Sequence, residues 1–173
     1  IEGQAEQARV LLSGELAFEV AGQLLVARRV VLATGVRDAL PAVPGLAERW
    51  GKSVFHCPYC HGYEVGGGAI GVIAASPLAH HHGLMLPDWG PTTLFLNGVY
   101  APSEADLADF ARRGTKIEAT PVLRIDGFAD VVLADGRTIA MQGLFTQPST
   151  SPASPVAQQL GCLLVDGPMG SYV

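Results

Sequence analysis

Cys57 and Cys60 are separated by Pro58 and Tyr59, and a histidine flanks the pair on each side, at positions 56 and 61. A Cys-x-x-Cys spacing lets two sulfurs meet in a tight loop and close a small disulfide. A neighbouring cation lowers a thiol's pKa and so poises the pair for exchange. A charged histidine stabilises a thiolate, and a neutral one accepts a thiol proton. Closing a disulfide releases two protons, so a base titrating near neutrality assists the step. The run His56-Cys57-Pro58-Tyr59-Cys60-His61-Gly62-Tyr63-Glu64 therefore points to thiol–disulfide chemistry, with Cys57 and Cys60 exchanging and His56 and His61 as proton partners.

Three other chemistries use the same residue types. Structural zinc needs a second ligand pair well separated from the first, and only Cys162 and His80 to His82 remain for it, so no metal site is expected. A glutaredoxin-type pair opens a helix, whereas Gly62 and the Gly66-Gly67-Gly68 run follow here at once. Two structural cysteines with no redox role are the third. Cys162 reads as a buried small hydrophobe. His80, His81 and His82 read as facing solvent or lining an interface, with no ligand role.

The elements that must hold this motif follow from hydrophobic pattern and turn residues. Residues 8–13, 16–20 and 24–33 read as short strands, the last ending in an apolar run, Val30 to Ala33, that suggests burial on both faces. Leu40 to Gly45, with two prolines, reads as a connector between domains. From residue 69 the order becomes β-α-β-α-β: a strand at 69–74, a helix at 77–86 with Ser76 as N-cap, and a strand at 92–96. A helix at 103–113, capped by Ser103 and ended by Gly114, leads to a strand at 116–119. Strands spaced by such helices pair in parallel through right-handed crossovers. Residues 121–126, 129–133 and 137–141 read as an antiparallel meander, turned at Asp135-Gly136. A strand at 143–146, a loop at 148–152, a short helix at 154–160 and a strand at 162–165 complete the reading. The expected class is α/β: a three-layer domain with a parallel sheet and a meander, plus parts of a second domain.

Composition narrows the partners. The 173 residues are 49% apolar and 16% charged, with 21 glycines and 12 prolines, which describes a turn-rich globular chain. A net charge of −5 offers no basic surface for nucleic acid. No apolar run approaches the roughly 20 residues that span a bilayer, and three cysteines do not make a secreted disulfide framework. A reducing cytoplasm is the expected compartment.

In order, the chain presents Ala33-Thr34-Gly35, a linker with Pro44-Gly45, Cys57-x-x-Cys60 and a βαβ start at Ala69. This order resembles the low-molecular-weight thioredoxin reductases, flavoproteins that are pyridine nucleotide-disulfide oxidoreductases. The run from His56 to Glu64 is similar to that of their gliotoxin-type dithiol oxidase branch. The resemblance covers essentially the whole chain, as the central part of such a protein. It implies the tail of a first FAD-domain segment at 1–40, a Rossmann-like pyridine-nucleotide domain at 41–141, and a returning FAD-domain segment at 142–173.

By position, Ala33, Thr34 and Gly35 would lie beside FAD, Cys60 would be the sulfur nearest the flavin, and Cys57 would exchange with substrate. His61 would stand where the reductases carry an acidic proton donor. A thioredoxin-like protein or a small dithiol or disulfide would be the partner, and the assembly a homodimer. NAD(P)H is implied as electron donor, at residues including Ala75, Ser76 and Pro77. The glycine fingerprint expected there reads Ala74-Ala75-Ser76-Pro77-Leu78-Ala79, and Asn97-Gly98-Val99-Tyr100 supplies no basic cluster for a 2′-phosphate. NADPH is therefore expected to bind poorly. The rival reading is a non-catalytic Rossmann-like remnant serving dimerisation or partner binding, its cysteine pair silent.

Overall fold

Two separate stretches of sequence build one of the two compact units of the chain, residues 1–39 and 149–173, and the sequence between them, 40–148, builds the other. A computed structural model describes residues 3–173. In the split unit, β1 (Ala5–Val10), β2 (Leu16–Val20) and β3 (Gln23–Ala27) form an antiparallel meander. The strand expected at 24–33 stops at Ala27. Residues 28–35 are irregular, and Val31 is 90% exposed. A strand covered on both faces needs layers above and below it, and no described strand pairs with this run. β4 (Val36–Ala39) forms just before the connector at Leu40 to Gly45, where no strand was expected.

In the unit spanning 40–148, β5 (Val54–Phe55), β6 (Ile70–Ile73), β7 (Thr92–Phe95) and β8 (Lys116–Glu118) lie in one sheet. The single turn α1 (Pro58–His61) follows β5. α2 (Ala79–Met85) joins β6 to β7, and α3 (Glu104–Arg113) joins β7 to β8. The meander is β9 (Val122–Asp126), β10 (Asp130–Leu133) and β11 (Thr138–Ile139), with β10 in the middle. β12 (Gly143–Phe145) then inserts between β5 and β6, which gives an all-parallel order β5-β12-β6-β7-β8.

Alternate residues of the parallel strands enter two cores. Val54, Ile73, Phe95 and Leu144 pack with Ile125, Val131 and Leu133 of the meander. Phe55, Ile70, Val72, Leu94 and Phe145 pack with Ala79, Leu86 and Phe110 on the helical side. Both faces of the sheet are therefore covered, as strands apolar at every position require. The boundary expected at 141–142 leaves β12 outside this unit. The compact unit instead runs to Pro148, because β12 completes the sheet by pairing on both edges.

Helix ends explain the helices. Ser103 Oγ accepts from the Asp106 N–H while the Asp106 carboxylate accepts from the Ser103 N–H, and Gly114 closes α3 at φ 77°. The helix expected at 77–86 begins only at Ala79. Ser76 Oγ accepts from the Leu78 N–H at 3.2 Å in a turn that precedes the helix.

The last segment returns to the split unit. β13 (Ser149–Pro152) lies antiparallel to β4, with Thr150 opposite Asp38, although a loop was expected there. Pro152 lies at the last position of that strand, where a missing N–H is tolerated. α4 (Val156–Gln159) follows. The strand expected at 162–165 forms later, as β14 (Val165–Gly167), against β15 (Gly170–Tyr172). Cys162 is half-buried rather than buried. No helix among the described residues is long and apolar enough to cross a membrane.

Candidate redox site

β5 is tied into the sheet by the Leu144 N–H to the Ser53 carbonyl at 2.8 Å and the Thr146 N–H to the Phe55 carbonyl at 3.0 Å. The chain leaves the sheet at His56. Cys57, extended at φ −96° and ψ 115°, then becomes the N-cap of α1, with Pro58 preset for the first helical position. The Cys57 carbonyl accepts from the N–H groups of Cys60 and His61 at 3.2 and 3.3 Å. The pair thus does open a helix, contrary to the argument that set aside the glutaredoxin-type site, but only one turn of it. Gly62 follows, and a Cβ there would meet the Pro58 carbonyl oxygen and Trp89 Cδ1 at 2.6 Å each. Trp89 fills the place of a side chain and is itself met edge-on by Tyr59, with ring centroids 5.5 Å apart.

Both sulfurs are free thiols, Cys57 half-buried and Cys60 exposed. The two are driven apart in acidity. The Cys60 thiol beside it lowers the pKa of Cys57, aided by the N–H groups of Cys60 and Tyr59. The same neighbour raises Cys60, with burial and the charges of Cys57 and Glu64 adding to the effect. Exposure ranks the sulfurs the other way round. Thiolate fraction governs attack on a disulfide, so Cys57 is the better nucleophile of the two. Among the hydrogen bonds of the described residues neither the His56 nor the His61 imidazole bonds a sulfur, and thiolate stabilisation comes from the turn itself. The His61 ring lies flat on Phe55, centroids 4.3 Å apart and 12° from parallel, with Nδ1 buried and unpartnered. His56 is half-buried, its ring 6.3 Å from that of His82.

His82 is the residue that the sequence reading misjudged. It is 3% exposed, where a place facing solvent or lining an interface had been expected. The signal was available: Ala79, His82 and Gly83 are the buried face of α2, at helical spacing. Burial lowers the pKa of His82 to about 4, with the charges of His56 and His81 adding to the effect. Among the described residues no three His, Cys, Asp or Glu side chains are placed to hold a metal ion.

Ala75, Ser76 and Pro77 follow β6, whose carboxyl end lies on the same edge of the sheet as that of β5. In an open α/β sheet this edge is where ligands bind. A pyrophosphate cradle needs free N–H groups at the turn and helix start. Here the Ala74 N–H bonds Phe95, the Leu78 N–H bonds Ser76 Oγ, and those of Ala79 and His80 bond the carbonyls of Ser76 and Pro77. Pro77 has none. After β7, the Asn97 side chain accepts from the Val122 N–H. With only the Ala75 and Ser76 N–H groups left without a partner among the described residues, and no glycine for close approach, the turn fits a bound pyridine nucleotide poorly. Ala33, Thr34 and Gly35 are in the split unit, exposed and irregular, with Gly35 at φ 70°. Thr34 lines an apolar cleft of about 270 Å³ with Phe18, Val20, Leu25 and Val31. That cleft fits one wall of a flat apolar ring system.

A parallel sheet covered on both faces, with a dithiol at the carboxyl end of an edge strand, is the α/β arrangement the site is built on. No family model matches the chain. It is 34% identical over 164 residues to thioredoxin reductase sirT of Leptosphaeria maculans, covering 84% of this chain and 50% of that protein. It is 53% identical over 68 residues to thioredoxin reductase tcpT of Claviceps purpurea, covering 39% of this chain and 21% of that protein. The crystal structure of an oxidoreductase from Agrobacterium tumefaciens superposes with a TM-score of 0.93 at 53% identity, covering 99% of this chain and 58% of that one. The chain is thioredoxin reductase-like, and it spans about half the length of the first of these relatives.

Proposed function

We propose that this chain carries the redox-active dithiol of a flavoprotein disulfide oxidoreductase, with Cys57 attacking and Cys60 resolving. The observation that carries the reading is a pair of free thiols on one helical turn at the end of a sheet strand, with Cys57 at its N-cap and the Cys60 N–H bonded to the Cys57 carbonyl. The Cys57 thiolate attacks a substrate disulfide, forming a mixed disulfide and releasing one substrate thiolate. Cys60 then loses its proton and attacks the Cys57 sulfur, which releases the second substrate thiolate and leaves the Cys57–Cys60 disulfide. The substrate disulfide is reduced and the protein dithiol oxidised by the same two electrons. Run in reverse, the pair oxidises a dithiol. A thioredoxin-like protein or a small dithiol or disulfide is the proposed partner, in a cytoplasmic homodimer, on the strength of the resemblance.

Bound FAD would supply a two-electron acceptor or donor for the pair, with Ala33, Thr34 and Gly35 forming part of its wall. His56 and His61 are the proposed proton acceptors for the closing disulfide. The proposed division is FAD-domain segments before residue 40 and after 148, around the nucleotide-type unit. No step is routed through NAD(P)H, because the turn at Ala74 to Pro77 fits it poorly.

Mild oxidation followed by alkylation and mass spectrometry tests the reading. A Cys57–Cys60 bridge with Cys162 alkylated is expected, and a bridge containing Cys162 overturns it. In the protein that contains this chain, a flavin spectrum that bleaches on addition of dithiol is expected, and its absence favours the non-catalytic module. Calorimetry with NADPH should show binding weaker by tens- to thousands-fold than an intact fingerprint gives, since each missing contact costs about 1–3 kcal/mol.

A further inference from the structure

His82 is a buried polar side chain in the helical core, on α2, with its Nδ1 shielded from solvent and without a hydrogen-bond partner. A buried, unpartnered imidazole costs stability wherever an apolar side chain would fit. Phe145 packs edge-on against the His82 ring, at 6.4 Å and 81°, so the site accommodates an aromatic ring. Two imidazoles lie near His82: His56 at 6.3 Å and the exposed His81 at 6.4 Å between centroids. His56 is the residue immediately before Cys57 and is half-buried.

Other ionisable groups near this helix are engaged elsewhere. His80 faces Asp106 at 3.4 Å and Phe110, and His61 is stacked on Phe55, which lies between it and Phe145. Among the described residues no carboxylate forms an ion pair with His56 or His82.

We propose that His82 is a positioning residue for the dithiol, acting through His56 as a neutral acceptor that stabilises the His56 imidazolium when Cys57 is a thiolate. At 6.3 Å between ring centroids, a small rotation of the half-buried His56 or one bridging water closes the gap. The proton that leaves the Cys57 thiol goes to His56, and no electrons move in this step. Burial keeps His82 in its neutral form, so that it accepts rather than repels: a second charged imidazole would oppose the first. The Cys60 thiol and the turn amides stabilise the sulfur directly. His82 adds a place for the departing proton. The inference rests on the reading of Cys57 and Cys60 as the redox-active pair, which the bridge-mapping experiment above tests separately.

The test is the pH dependence of Cys57 alkylation by iodoacetamide in the reduced protein, read by mass spectrometry at the Cys57 peptide. His82→Leu should move the Cys57 profile to higher pH and slow alkylation at pH 7 by about three- to tenfold, a shift of up to about one pKa unit. His82→Asn, which retains an acceptor, should restore most of the rate. His81→Gln should leave the profile in place. An unchanged Cys57 profile in folded His82→Leu, or equal slowing in His82→Leu and His82→Asn, overturns the proposal. Where the Leu variant does not fold, NMR titration of the histidines in the unaltered protein decides. His56 should follow Cys57 thiol ionisation while His82 stays neutral above pH 5. A His82 that titrates near 6.5, or a His56 indifferent to Cys57→Ser, overturns it as well.

Discussion

The unit spanning 40–148 and the split unit place similar apolar strand residues in opposite surroundings. Ile70, Ile73, Leu94 and Phe95 are wholly buried between helices and meander, whereas Leu24 and Val26 of the split unit are half-exposed or more. Composition does not separate the two sets. Cover does: the parallel sheet has a layer on each face, and the β1–β3 meander has one small cluster, around Phe18, Val20 and Val156. Buried polar side chains divide in the same way, since Ser53, His82, Thr92, Thr115 and Thr146 all belong to the parallel-sheet unit. Apolar pattern selects the strand, and neighbours decide whether it forms a core.

Phe95→Ala should show the contrast at its largest. Phe95 is wholly buried between meander and sheet, and removing its ring should cost about 3–5 kcal/mol by denaturant titration. A loss below about 1 kcal/mol would mean that this core collapses around the gap.

Acid comes next, because burial takes His82 from its ordinary 6.5 to about 4. A group whose folded pKa is depressed binds more protons when unfolded, so stability falls as pH drops from 6.5 toward 4. The loss should reach about 3 kcal/mol and fall on the parallel-sheet unit. Hydrogen exchange at β6 and β7 amides would read it, and His82→Phe should flatten the slope. The same slope in His82→Phe would assign the acid effect to other groups.

Smaller effects are expected at caps. Ser103→Ala removes one half of a reciprocal capping box and should cost about 1 kcal/mol. Hydrogen bonds from the Ser103 N–H and hydroxyl hold the Asp106 carboxyl below the usual range. The half in which the Asp106 carboxylate accepts from the Ser103 N–H is therefore at full strength at neutral pH and weakens as Asp106 protonates in acid. Thermal melts of Ser103→Ala should lie below those of wild type, and coincident melting curves would contradict the capping role. Smallest of all, Val31→Ala should stay within about 0.5 kcal/mol, because the side chain is in solvent. A larger loss would mean that Val31 is covered in the protein as it exists in solution.

Local signals in the sequence account for α3, the β10–β11 turn at Asp135-Gly136 and the run β6-α2-β7-α3-β8, because caps, turn glycines and apolar periods act over a few residues. They also account for Cys57 and Cys60 as a pair, since two residues between sulfurs fix their reach. Tertiary structure alone decided that β12 sits between β5 and β6, since pairing partners lie more than 70 residues apart. It also decided that 149–152 is a strand rather than a loop, because β4 lies beside it to complete the pairing. The single helical turn after Cys57 depends on Trp89 packing against Gly62, a contact no local pattern announces. Burial of His82 follows from which face of α2 meets Phe145. A side chain's chemistry is written in the chain, but its solvation and its neighbours, and with them its acidity, exist only once the layers have closed.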